Sequence, residues 1–306
     1  MSLNSGLNPN VVKTALDDVF FQPLEEKKQP GYVDAASSMT FRQDTADSSA
    51  VIMEVFKGTG NWDQLAEEVE ITEKTPRVAN TKTFSVVSFK ASVKIPHEFF
   101  EDQKHGVYEM MVESMARRAV TTRDKNAFAV YRNAFTSATT ADGGALISSH
   151  TNLNGDTVSN LLTGALSETT LYTGIQTLYE MKAQDGVIEG FQPSVLMVAP
   201  AKFKLACEIV DSELRSGTAN NDMNVYSSKY GIYVATSPWL GTAGGGSDTA
   251  WYLLSTRHSI MRYVREAVNT DLIEPKYSSN DVWVYKGRFR EVVGAMSYEG
   301  IVGSTG

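Results

Sequence analysis

The chain has 306 residues, 42% hydrophobic and 21% charged, and a formal net charge of −8. That length admits one large domain or two smaller ones, and the composition excludes collagen-like, coiled-coil and disordered classes. An acidic balance argues against a general nucleic-acid binder, which must neutralise phosphates with Lys and Arg, and the single cysteine, Cys207, excludes an intrachain disulfide framework.

Residues 1–50 are polar and rich in small side chains, with a short periodic segment from Val11 to Phe21, and they predict an arm with little core of its own. The start lacks the basic and apolar stretches of a signal peptide, and no apolar run approaches the roughly 20 residues of a spanning helix. The expectation is therefore a protein of the cytosol with no membrane partner.

Residues 66–83 carry Glu67, Glu68, Glu70, Glu73, Lys74, Arg77 and Lys82 with few large apolar residues, which predicts a projecting hairpin or long loop. In the next stretch Val87, Phe89, Ala91, Val93 and Ile95 alternate with polar residues, the period-2 pattern of a half-buried strand, which Pro96 ends. From Val107 to Phe135 the step changes to three and four: Tyr108, Met111, Met115 and Ala119, then Ala127, Tyr131 and Ala134, predict one continuous helix. Its 29 or so residues would span about 43 Å. Glu113 and Arg117 form an i,i+4 pair, and Arg117, Arg118, Arg123, Lys125 and Arg132 make a local basic cluster.

A polar loop over residues 136–156 leads to a helix across Thr169–Lys182, with Leu171, Ile175, Leu178 and Met181 on one side. Ser194–Val198 predicts a buried strand, and Pro200 opens a helix over Ala201–Val210. Tyr230–Ala235, Ala250–Leu254 and Ile260–Val264 predict three further strands, with a flexible surface loop at Gly241–Gly246. Residues 281–302 are β-rich, and Gly303–Gly306 predicts a flexible end. The class is α+β.

Chemistry is sparse. The histidines His97, His105, His150 and His258 lack the pairing of a zinc-protease helix, so no metal or cofactor is expected. Cys207, among Leu205, Ala206 and Ile209, predicts a small buried hydrophobe rather than a nucleophile. The Gly241–Gly246 tract lacks the Lys-Ser/Thr ending of a phosphate loop, and Glu67, Glu68 and Glu70 fit an acidic solvated loop. No catalytic residues are assigned.

The order of these elements resembles the Hong Kong 97-type fold of tailed-bacteriophage major capsid proteins. Val93–Asp102 is similar to that family's passage from strand to spine helix, and Tyr230–Pro238 and Gly287–Ala295 are similar to later strands. Ile147–Asn152, followed by Phe191–Pro200, resembles Mu-like major head subunits. The likeness runs over roughly 41–306 and implies an N-terminal arm (1–40), a peripheral strand (41–54), an E-loop hairpin (55–86), a peripheral domain with the long spine helix (87–165), an axial α/β domain (166–267) and peripheral closing strands (268–306).

The resemblance also implies a non-enzymatic protein that self-assembles as hexamers and pentamers into an icosahedral shell around double-stranded DNA. Such a shell is a virion component assembled in the host cytoplasm, with a portal protein and, in some members, a decoration protein. The chain has no room for the scaffolding segment that some members carry before the arm, so a separate scaffolding protein is expected. Glu70, Glu73, Lys74, Arg77 and Lys82 are then expected at subunit contacts, and the basic cluster is expected to face DNA or an acidic neighbour. Some members crosslink an E-loop lysine to a neighbour's asparagine, for which Lys74 or Lys82 and Asn280 are the candidates here. Two other functions remain open at this point: an encapsulin-like compartment shell, which shares the fold, and an α+β enzyme with an unrecognised pocket.

Overall fold

The structure, a computed structural model, describes residues 9–25, 32–34, 37–67, 70–71, 73–74, 76–96, 98, 105–212, 224–274 and 282–306. His97, Glu68 and Asn280 lie outside the described residues. The first element is α1 (Pro9–Glu25), with proline in its first turn where a missing N–H costs nothing. Far from lacking a core, this part of the arm buries Val12, Leu16 and Phe20 against the rest of the chain. Three apolar residues at four-residue steps suffice once a complementary sheet face is supplied.

Then come β1 (Arg42–Thr45), the antiparallel hairpin of β2 (Ala50–Lys57) and β3 (Arg77–Ser85), and β4 (Val87–Pro96). The long helix is α2 (His105–Ala127), continued after Phe128 by one further turn, α3 (Ala129–Arg132). The single helix expected to reach Phe135 therefore ends early. The Asn133 carbonyl accepts the N–H groups of Thr136, Ser137 and Ala138, and the resulting turn stacks Phe135 on Tyr252 at 5.8 Å. On α2 the buried positions are Tyr108, Val112, Met115, Ala116, Asp124 and Ala127, whereas Met111 is exposed.

The small hairpin β5 (Ser149–Thr151) and β6 (Thr157–Ser159) precedes β7 (Leu161–Leu162) and α4 (Glu168–Glu180). Ser167 caps α4 reciprocally with Thr170, and Leu171, Ile175, Leu178 and Met181 are buried as expected. After β8 (Pro193–Val198) and α5 (Pro200–Val210), a π-helical turn at Tyr226–Tyr230 leads into β9 (Tyr233–Thr236), and β10 (Trp251–Ser255), β11 (Ile260–Ile273), β12 (Val282–Ala295) and β13 (Ile301–Ser304) complete the chain.

Two sheets organise these elements. One runs β1-β11-β12-β4 and the other β7-β13-β10-β8-β9. In the five-stranded sheet alternate residues enter different cores: Val195, Met197, Tyr252 and Leu254 face Phe128, Tyr131 and Phe41, while Leu196, Val198, Trp251 and Leu253 face α4 and α5. Both faces are covered, which is why these strands read as continuous apolar runs. One face of the four-stranded sheet packs against α1 and α2, and on the other Met261, Tyr263 and Val292 pack around Phe84 at one end.

Two sequence expectations fail near the C-terminus. Strand β11 runs nine residues past Val264, because β12 supplies its hydrogen-bond partners out to Ile273. Gly303 and Ser304 are not a flexible end: they pair with β10 and β7 in the sheet interior, and Ser304 Oγ donates to Gly164 O at 2.7 Å. The Gly241–Gly246 tract is a tight turn containing a 3₁₀ segment (Thr242–Gly244), with a Gly246 N–H to Gly241 O bond of 2.9 Å and Asp248 Oδ2 accepting from Thr242 Oγ1 at 2.7 Å. Cys207 is half-buried rather than buried, and burial raises its thiol pKa, assisted by the charge of Asp211.

Candidate assembly surfaces

The hairpin of β2 and β3 leaves the four-stranded sheet and carries the loop of residues 58–76 at its end. Its root is anchored by Phe84, which joins Tyr263, Ala46, Val51 and Met53 in a small satellite core. Gly294 makes room for this, since a Cβ there would overlap the Phe84 ring. Several large apolar side chains of the hairpin face outward: Ile52, Phe56, Ile71 and Val78 are exposed and Trp62 is 94% exposed, while Val55 is buried. Exposed large apolar side chains gathered on one projecting element mark an interaction surface.

Of the residues singled out on this hairpin, Glu70, Glu73 and Arg77 are exposed. Lys74 pairs with Asp63 at 3.0 Å and shares a groove of about 400 Å³ with Lys57 and Arg77. Lys82 turns back onto its own chain instead, donating to Thr139 O at 3.1 Å and Thr139 Oγ1 at 2.6 Å, and burial lowers its pKa.

The basic residues of the long helix do not form one patch. Arg117 binds Glu113 at 2.6 Å, as the i,i+4 spacing predicts. Arg118 lines a small apolar pocket between the helices and the sheet with Phe20 and Phe89. Arg123 lies near Glu291, and Arg132 reaches Gly244 O at 2.6 Å and Lys125 O at 3.0 Å, which leaves Lys125 exposed on its own.

The structure adds a basic surface that the sequence hides. On the face of the four-stranded sheet away from the helices, Lys90 lies opposite Arg288 and Lys94 opposite Val284, with Lys286 two residues along β12. Among the described residues two carboxylates pair with these cations: Asp271 lies 2.9 Å from Lys286 and Glu266 2.7 Å from Arg288. The polar set of β4 is legible as alternation, but the cations facing it come from a strand whose register no sequence pattern specifies.

Two buried polar constellations resemble chemistry. Arg262 Nε donates to Glu291 Oε2 at 3.0 Å, and the side chains are 5% and 2% exposed. Burial raises the Glu291 pKa against the pull of Arg262. The second is a Ser148–His150–Asp142 chain, with 2.7 Å from His150 Nδ1 to Asp142 Oδ2 and 3.3 Å from Nε2 to Ser148 Oγ. It is not poised for nucleophilic catalysis. The imidazole is wholly buried and stacked on Tyr298 at 4.8 Å, its Nε2 also lies 3.3 Å from Leu146 O, and Ser148 Oγ donates to Ala145 O at 2.8 Å. Among the described residues no group of three or more His, Cys, Asp or Glu is placed to share a metal ion, and no helix is long and apolar enough to cross a membrane.

No curated protein matches the sequence. Solved structures similar in fold include one from Microbacterium phage Oxtober96 (14% identity, TM-score 0.54, covering 93% of this chain and 95% of that one) and the capsid of Myoviridae phage XM1 (10%, 0.54, 92% and 94%). A virus-like particle from Pyrococcus furiosus is similar to the same degree (9%, 0.54, 96% and 98%). These likenesses agree with the Hong Kong 97-type architecture of two sheets joined by a long helix. The model of the phage capsid protein family matches residues 79–304, from the hairpin's second strand through the terminal β13. Because that match spans well over half of the chain, the molecule belongs to the phage capsid protein family and is a structural capsid protein.

Proposed function

We propose that this chain forms hexamers and pentamers that close into an icosahedral shell around double-stranded DNA, assembled in the host cytoplasm with a separate scaffolding protein and a portal. The observation that carries this reading is the hairpin. Ile52, Phe56, Trp62 and Ile71 expose apolar area that an isolated subunit cannot bury, and a neighbouring copy supplies the missing cover. In this reading residues 55–86 are the E-loop and residues 166–267 the axial domain, around the five-stranded sheet. Glu70, Glu73, Lys74 and Arg77 surround the apolar strip and set its register on a neighbour, as rim charges do. Lys82 takes the different role of holding the hairpin to its own subunit. The crosslink candidates keep only Lys74 on an outward-facing part of the hairpin.

Negative-stain microscopy and analytical ultracentrifugation of the purified protein test the reading. Capsomers or closed particles of megadalton mass are expected, and discrete small oligomers under every assembly condition, with scaffold present, overturn it. The equal fold similarity to the Pyrococcus furiosus particle keeps a compartment shell as the second reading. Nuclease-protected DNA inside isolated particles supports the phage head, and enclosed protein supports the compartment.

A further inference from the structure

The hairpin meets its own chain at a further place besides the Phe84 root and the Lys82–Thr139 contact. Two turns, 152–156 and 183–187, are bound together into a rigid seat. Leu153 N–H donates to Gln184 O at 3.1 Å, Asn152 Nδ2 to Ala183 O at 3.3 Å, and Lys182 Nζ to Asp156 Oδ2 at 3.2 Å. Gly186, at φ +81°, lets the second turn lie so close to the first that a Cβ would meet Asn154 Nδ2 at 2.8 Å. Within this seat Asp185 is fixed, because its Oδ1 accepts the Val187 N–H at 3.1 Å.

The start of the 58–76 loop rests on that carboxylate. Gly60 N–H donates to Asp185 Oδ2 at 3.2 Å, and Gly58 packs so closely that a Cβ would stand 2.5 Å from the same oxygen. Lys57 Nζ lies 3.4 Å from Leu153 O and from Asn154 Oδ1. The seat is internally braced, while among the described residues the hairpin is hydrogen-bonded to it by these few contacts, so the two can separate without unfolding either.

We propose that the Gly58–Gly60 turn seated on Asp185 is a latch that fixes the hairpin's angle in the unassembled subunit and so presents the Ile52, Phe56 and Trp62 strip ready for a neighbour. This rests on the shell reading for what the hairpin meets, but the latch itself belongs to the single chain. A preset hairpin loses less conformational freedom on docking than a swinging one, which speeds productive association.

The test is hydrogen exchange of the 57–61 segment in the unassembled full chain, paired with assembly kinetics by light scattering. Asp185→Ala removes the acceptor, and Gly58→Ala forces the turn off it from the other side. Each is expected to raise Gly60 exchange about tenfold, as loss of one hydrogen bond does, and to slow assembly several-fold. The double variant should be no worse than either single one, because both break the same contact. Should Asp185→Ala disturb its own turn, Gly58→Ala leaves that turn intact and gives the same readout. Full exchange of Gly60 in the wild-type chain, additive effects, or unchanged assembly in a variant whose exchange has risen would each overturn the latch. A wild-type chain that never assembles sinks the shell reading, and the exchange data then decide the latch alone.

Discussion

Arg262 and Glu291 sit on adjacent strands where the register sets Arg262 opposite Val293 and Val264 opposite Glu291, so the pair is diagonal and almost dry. Glu291 Oε1 is buried with no hydrogen-bond partner among the described residues. Removing Arg262 therefore strips a buried carboxylate of its hydrogen-bonded cation and leaves only the charge of Arg123 nearby: Arg262→Met should cost about 3–5 kcal/mol in urea unfolding of the unassembled chain, and replacing both Arg262 and Glu291 by apolar residues should recover most of it. His258 sets a pH dependence. Burial, aided by the charge of Arg42, lowers its pKa to about 4 from 6.5, and its Nδ1 accepts the Ile260 N–H at 3.2 Å. Because the folded chain holds this imidazole neutral where the unfolded chain protonates it, the stability it contributes is full above about pH 6.5 and is lost as pH falls towards 4. The loss amounts to about 3 kcal/mol. Glu291 and Glu299, both raised by burial, act in the opposite sense, regaining stability as they protonate. The comparison that isolates His258 is the acid limb of His258→Gln against wild type: a shallower fall between pH 6.5 and 4 is expected, and parallel limbs would contradict it.

At the scale of elements, the four-residue steps of α4 and the apolar runs of β8 and β10 were readable because burial repeats with the period of the backbone. Ser167 closes a capping box on α4, and Ser167→Ala should cost about 1 kcal/mol in thermal unfolding. The hairpin's root is less legible. Nothing local to Gly294 says that it must be glycine, since the ring it admits, Phe84, lies more than two hundred residues earlier. Gly294→Ala should displace that ring, destabilise the chain by about 1–3 kcal/mol, and increase protease cleavage within residues 58–76; unchanged cleavage would show that the hairpin is held elsewhere. The helix end at Arg132 and the extension of β11 to Ile273 were missed for one reason. Both boundaries are decided by partners distant in sequence, Tyr252 in one case and β12 in the other.

For the whole molecule, the exposed strip separates folding from assembly. Trp62→Ser with Ile71→Ser should leave the unfolding midpoint of the single subunit nearly unchanged, since both side chains already face solvent, yet should abolish or greatly slow particle formation measured by light scattering. A large fall in the midpoint would mean that the strip is covered in the free chain. The amino-acid order alone determined the mixed class, the alternating strand, the long helix, the charged projection and, through their succession, the resemblance to phage capsid proteins, because each rests on local periodicity or composition. Tertiary structure decided what those local rules cannot reach. It folded α1 onto the four-stranded sheet, buried the glycine-rich end in the five-stranded one and dispersed the basic residues of α2. It also gathered Lys90, Lys94, Lys286 and Arg288 on one face and turned Lys82 inward. Each of these outcomes depends on strand register and on contacts between residues far apart in the chain, where a shift of one residue exchanges the two faces of a strand.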